Sequence, residues 1–238
     1  MKKKIIKLLS LFFIILLVFE IYTFAHTNKL YYIPLGDSLA SGQNPYGEIG
    51  YGYTDYLKDY LKKHNKLAYY TKEYAKSGYT TENILADINN NPNLKKDLRE
   101  SDLVTLSIGA NDLLHKTNIR GIDISKLLTL KKTVNEIIPN LDKCINEIRK
   151  YAKSRIIIVG YYNPIPFLFN TSGNDLDELF AYIDAEYSKL AKKYNCEYIS
   201  IYELFKSNND YLPNTSDIHP NIKGYKNIAN KIIKEAKI

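Results

Sequence analysis

From residue 30 onward, short apolar runs alternate with stretches in which apolar residues recur every three or four positions. The runs at 30–36, 68–74, 102–108, 155–160 and 196–202 predict five strands. The run at 102–108 is apolar enough to be buried on both faces. Helical spacing places Tyr53, Tyr56, Leu57, Tyr60 and Leu61 on one face of a helix over 53–64. A second helix carries Ile84, Leu85 and Ile88, with Thr80 or Thr81 as its cap. Longer helices are predicted over 126–152, 175–194 and 223–237. Pro139 should kink or split the first of these. Turns or loops are expected at 42–52, at 75–81, at 89–93 around Pro92, at 161–174 and around 216–220, with 203–213 irregular.

Strands that alternate with helices imply parallel β-α units in one twisted sheet, joined by right-handed crossovers. Such sheets carry their sites at the carboxyl ends of the strands. Ser38, Gly78 and Asn111 each follow one of the first three strands, and His219 follows the last at more distance. Four loops should therefore meet on one edge of the sheet. At 238 residues the chain suits one sizeable domain, here 30–238.

The first 25 residues differ from the rest. Lys2, Lys3, Lys4 and Lys7 precede an apolar stretch from Leu8 to Phe19, and Glu20 interrupts it. That order fits a signal peptide cleaved after Ala25, or an uncleaved N-terminal anchor. Either implies an exported domain, secreted or held at the outer face of the membrane. Of the formal charge of +7, this segment carries +3, from four lysines less one glutamate. The remaining +4 is dispersed, with none of the basic, aromatic-interleaved blocks that nucleic-acid binding uses. A basic balance is compatible with an anionic membrane surface as partner. Cys144 and Cys196 lack metal-site spacing; a buried thiol at Cys144 is expected, with a disulfide between the two open as the alternative.

The candidate chemistry begins at Ser38, where a strand enters Gly36-Asp37-Ser38-Leu39. Glycine permits a sharp turn, and a serine opening the next helix meets free N–H groups and a positive dipole end. Such a serine is a candidate nucleophile or simply a helix cap. Of His26, His64, His115 and His219, only His219 has a carboxylate two residues earlier, Asp217, which suits a base held in one tautomer. His115 follows Asn111 closely and stays open. The N–H groups of Ser38 and Gly78 and the Asn111 amide are candidate oxyanion donors. The competing readings are ordinary turn chemistry at Gly78 and Gly109 and helix capping at Asn111.

Four blocks carry a resemblance: Gly36-Asp37-Ser38-Leu39, Ser77-Gly78-Tyr79-Thr80-Thr81, Gly109-Ala110-Asn111-Asp112 and Asp217-Ile218-His219-Pro220-Asn221. In this order they resemble the GDSL family of lipases and esterases, also called SGNH hydrolases. The run from His219 to Tyr225 and the run Gly160-Tyr161-Tyr162-Asn163-Pro164 are similar to its exported Gram-positive acylhydrolase branch. The resemblance implies a three-layer α/β/α sandwich with a mainly parallel, flavodoxin-like five-stranded sheet. It implies a serine esterase working through an acyl-enzyme, with no metal or cofactor. Ser38 is then the nucleophile and His219 the base. Ser38, Gly78 and Asn111 form the oxyanion hole, and Asp37 and Asp112 support their loops. The family places its aspartate three residues before the histidine, where this chain has Ser216. Either Asp217 orients His219 from two residues away or a main-chain carbonyl does so. Phe167, Leu168 and Phe169 are expected to cover an acyl pocket, or else to pack on the domain or face a membrane. The substrate expected is an acyl ester. A carbohydrate or cell-wall O-deacetylase and a catalytically silent envelope domain are the alternatives.

Overall fold

The computed structural model describes residues 11–18, 29–117, 127–164 and 175–238. Residues 11–18 form a short helix, α1, whose side chains are all exposed. The rest of the N-terminal segment, and the Phe167-Leu168-Phe169 tip, lie outside the described residues.

The sheet is built from β1 (Leu30–Gly36), β2 (Leu67–Tyr70), β3 (Leu103–Ser107), β4 (Arg155–Val159) and β5 (Glu197–Ile199). All pairings are parallel, in the order β2-β1-β3-β4-β5. This is the flavodoxin-type order, with its switch point between β1 and β3. Alternating residues serve opposite faces. Ile33, Leu35, Val104, Leu106, Ile156 and Ile158 join one core; Tyr32, Leu103, Ile157 and Val159 join the other.

Helices α4 (Thr81–Asn90), α5 (Pro92–Glu100), α7 (Leu127–Tyr151) and α8 (Asp175–Lys193) cover the first face. Helices α3 (Tyr53–Lys63) and α10 (Ile222–Ala236) cover the second. The single turn α2 (Ser38–Ser41) adds Leu39 and Ala40 to the second core, α6 (Ala110–Thr117) packs on the first through Leu113, and α9 (Tyr202–Lys206) gives Tyr202 to the first and Phe205 to the second. The result is the expected α/β/α sandwich.

Four expectations need correction. The turn at 89–93 shrinks to Asn91, and Pro92 opens a helix. Asn91 caps it by accepting from the N–H groups of Asn93 and Leu94. Proline is well suited to a first helical position because its missing N–H would have had no partner there. Helix α7 runs through Pro139 without splitting. Val134, Ile137, Leu141, Cys144, Ile145 and Ile148 hold it against the sheet on both sides of the proline. The second strand stops at Tyr70, and only an isolated bridge between Gly36 and Ala75 extends the pairing. The fifth strand stops at Ile199, and α9 begins at Tyr202, inside the segment expected to finish the strand.

Tyrosines account for much of the core, and each brings a polar tip that must be satisfied. The Tyr32 hydroxyl lies 2.9 Å from Thr105 Oγ1. Tyr187 donates to the Ile108 carbonyl at 2.9 Å, and Tyr225 to the Gln43 carbonyl at 2.6 Å. The large tyrosine count thus supplies cross-links between elements as well as bulk. The two cysteines are free thiols. Cys144 is buried in α7, and Cys196 lies 3.3 Å from an Arg149 nitrogen.

Candidate active site

At the end of β1, Gly36 has φ +140°, and a Cβ there would lie 2.1 Å from the Ser107 carbonyl oxygen. Only glycine fits between these two strands at the point where the chain turns. Asp37 follows, buried, and its Oδ1 accepts from the Leu39 N–H at 3.0 Å. Asp37 is therefore the cap of α2, and Ser38 is its first residue. This disposes of the capping alternative for Ser38. Its Oγ is left without a hydrogen bond to any described residue, on a partly exposed side chain. A one-turn helix has little macrodipole, so any stabilisation of negative charge there must come from individual N–H groups.

Burial raises the Asp37 carboxyl to about 7. Hydrogen bonds from the Tyr161 hydroxyl and the Leu39 N–H act the other way. Tyr161 is itself pushed up by burial and then by the Asp37 charge.

Gly78 has φ +80° and nothing within 4 Å of a would-be Cβ. Its glycine is required by backbone conformation, and the space in front of it is open. The Asn111 Nδ2 donates to the Tyr79 carbonyl at 2.9 Å, which ties α6 to this turn. Asn111 lies inside α6 and does not cap it. Its neighbour Asp112, buried, accepts from the Thr81 N–H at 3.0 Å and from the Thr81 hydroxyl. The second and third blocks are thus joined through two side chains.

His219 is buried, with 9% of its surface exposed. Its Nδ1 lies 2.7 Å from Asp217 Oδ1, which also accepts the His219 main-chain N–H at 2.8 Å. A carboxylate two residues upstream does reach the ring, and no main-chain carbonyl takes its place. Nε2 is buried and has no hydrogen-bond partner among the described residues. The hydroxyl of Tyr162 donates to the Ile218 carbonyl at 2.7 Å, which fixes the loop. His64 is exposed beyond α3, and His115 is exposed on α6. His26 lies outside the described residues.

The loops bearing Ser38 and His219 meet through Gln43. Its N–H donates to the Ser38 carbonyl at 3.0 Å, and its side-chain nitrogen lies 3.4 Å from His219 Nδ1. Asn214 adds a second tie, donating to the Pro45 carbonyl at 2.7 Å. Gln43, Asn214, Tyr161 and Tyr162 all escaped the sequence reading of individual roles. For the two tyrosines, the repeated aromatic directly after β4, at a strand end, was the available signal.

The profile of the GDSL-like lipase/acylhydrolase family matches residues 35–226, most of the chain. The chain belongs to this family. The GDSL chain is 24% identical over 207 residues to the spore germination lipase LipC of Bacillus licheniformis, covering 85% of this chain and 94% of that one. Its fold is similar to that of the lipase Lip_vut3 from a goat rumen metagenome, with TM-score 0.68, 23% identity, and coverage of 85% and 95%. It is also similar to Axe2, an acetylxylan esterase from Geobacillus stearothermophilus, with TM-score 0.63, 17% identity, and coverage of 87% and 94%. The protein is a GDSL-type serine ester hydrolase.

Proposed function

We propose that this hydrolase cleaves carboxylic acyl esters through an acyl-enzyme formed on Ser38. The observation that carries the reading is the Asp217–His219 pair, 2.7 Å apart, on a loop tied through Gln43 to the Ser38 turn. Asp217 accepts the Nδ1–H and so holds the ring in one tautomer, and Nε2 is the nitrogen left to accept a proton. The Ser38 hydroxyl gives its proton to Nε2 as Oγ attacks the ester carbonyl carbon. The carbonyl π electrons move onto oxygen, and the N–H groups of Ser38 and Gly78 with the Asn111 amide receive that charge. One hydrogen of the Asn111 amide is given to Tyr79, and the second remains for the oxyanion. The intermediate collapses, and the alcohol leaves with the proton from Nε2. Water then attacks the acyl carbon as its proton passes to His219. Ser38 leaves as the hydroxyl.

The exposed Ser77–Gly78 turn beside a partly exposed Ser38 supports a site open on one side. Such a site accommodates lipid esters. It also favours a second reading, carbohydrate O-deacetylation, for which the likeness to an acetylxylan esterase is further support. Residues 1–25 are proposed as an export signal or anchor. Four lysines before an apolar stretch support this, as do the exposed side chains of α1. No helix of the described residues is long and apolar enough to cross a membrane. Among the described residues there is also no cluster of metal-ligating side chains.

The test is a series of p-nitrophenyl esters from acetate to palmitate, run beside Ser38→Ala. Turnover that disappears in Ser38→Ala supports the nucleophile. A preference for longer chains then favours lipid esters, and a preference for acetate favours deacetylation. Equal turnover in the wild type and Ser38→Ala would refute the mechanism. Ligand binding with no turnover on any ester would point to a silent domain.

A further inference from the structure

Gln43 sits five residues beyond Ser38, in a loop whose sequence suggests only a connection. Both ends of its peptide are held: the N–H donates to the Ser38 carbonyl at 3.0 Å, and the carbonyl accepts from the Tyr225 hydroxyl at 2.6 Å. Its side-chain amide then lies between two other blocks. On one side its oxygen accepts from the Ser77 hydroxyl, next to Gly78. On the other, its nitrogen stands 3.4 Å from His219 Nδ1. One residue thus touches the turn of the nucleophile, the turn of an oxyanion donor and the ring of the base.

We propose that Gln43 is a positioning residue for ester hydrolysis, its amide setting the His219 ring and the Ser77–Gly78 turn in register with Ser38. The inference rests on the roles assigned above to Ser38 and His219. The amide turns its nitrogen to Nδ1 and its oxygen to the Ser77 hydroxyl; because Asp217 already accepts the Nδ1–H, the orientation that helps is the flipped one, with oxygen and nitrogen exchanged. The Ser77 hydroxyl can donate or accept, and it serves either orientation of the amide. When Nε2 accepts the Ser38 proton, the ring becomes a cation. A second, neutral oxygen beside Nδ1–H then shares the stabilisation with Asp217 without placing another charge in the site. The amide also limits rotation of the imidazole about its Cβ–Cγ bond, which keeps Nε2 aimed at one point. Pre-organisation of this kind acts on the chemical step more than on substrate binding.

The test compares Gln43→Ala, Gln43→Glu, Ser77→Ala and the combined Gln43→Ala with Ser77→Ala on p-nitrophenyl acetate and butyrate, with Ser38→Ala alongside. Thermal melting of each variant checks that it folds. Gln43→Ala should lower kcat by roughly tenfold to a hundredfold with KM within about twofold. Gln43→Glu keeps the acceptor and should recover part of kcat. Ser77→Ala, at an exposed position that tolerates truncation, should give a smaller fall in the same parameter. The combined variant should be no worse than Gln43→Ala, because both act through one amide. An unchanged kcat in folded Gln43→Ala, or a loss confined to KM, overturns the proposal while Ser38→Ala is inactive. If Gln43→Ala does not fold, an unchanged kcat in Ser77→Ala overturns it. Activity retained in Ser38→Ala is a distinguishable failure, since it removes the nucleophile reading on which this one stands.

Discussion

A single oxygen of Asp217 meets His219 twice, at Nδ1 (2.7 Å) and at the main-chain N–H (2.8 Å). The carboxylate therefore fixes both the ring and the backbone that carries it. The two-residue spacing makes this possible, because an aspartate readily bonds the N–H two positions on. Asp217→Ala should lower kcat by about 10²- to 10⁴-fold while KM changes little. Asp217→Asn should recover little of that loss, since an amide can present a donor to Nδ1 and favour the wrong tautomer. Steady-state kinetics on a short-chain ester measures both.

Asn111 gives one amide hydrogen to Tyr79 and is proposed to give the other to the oxyanion. Asn111→Ala should therefore lower kcat by about 10²- to 10³-fold. Asn111→Asp keeps the size but removes the donors and adds a charge, and it should be no better. A variant with wild-type kcat would remove Asn111 from the oxyanion hole.

The Asp37 carboxyl, raised by burial to about 7 from an ordinary 3.8, makes stability pH-dependent. The unfolded chain releases this proton near pH 4, whereas the native state holds it until about 7. Between these values the native state binds more protons, so this group's contribution to stability is full below about pH 4. It is lost as pH rises through about 7. The expected loss is as much as about 4 kcal/mol across that window. Asp37→Asn still caps the Leu39 N–H and should flatten this part of the profile. Denaturant unfolding at pH 4 to 8, wild type against variant, is the measurement.

Gly36 admits no side chain, because its φ is +140° and the obstructing atom is a main-chain oxygen of β3, 2.1 Å away. Gly36→Ala should destabilise the fold by at least about 2 kcal/mol. Ala at Gly78, where nothing lies within 4 Å, meets only backbone strain of about 1 kcal/mol. Chemical denaturation of the two variants should rank them in that order.

The alternation of periods was enough to place the five strands and the principal helices to within a few residues. It was also enough to set the first three blocks after the first three strands, with the fourth further beyond the last. These are local features: side-chain period, turn glycines and caps are encoded within a handful of neighbours. The misreadings were local too. A proline read as a turn opened α5, because its preceding Asn91 caps rather than breaks. A proline expected to kink or split its helix does not split α7, which the buried residues on either side carry past it.

The sequence by itself determined the α/β class, the placement of Ser38, Gly78 and Asn111 after the first three strands with His219 further beyond the last, and the requirement for glycine where β1 turns. Only the tertiary structure decided which groups meet. The contact between Gln43 and His219 spans 176 positions, and that between Tyr161 and Asp37 spans 124. Such pairs leave no periodic trace in the chain, since they form only after the β2-β1-β3-β4-β5 order brings separate loops to one edge. The same closure buries Asp37 and so raises its carboxyl. That shift depends on exclusion of water by residues distant in sequence, which a residue's immediate neighbours do not specify.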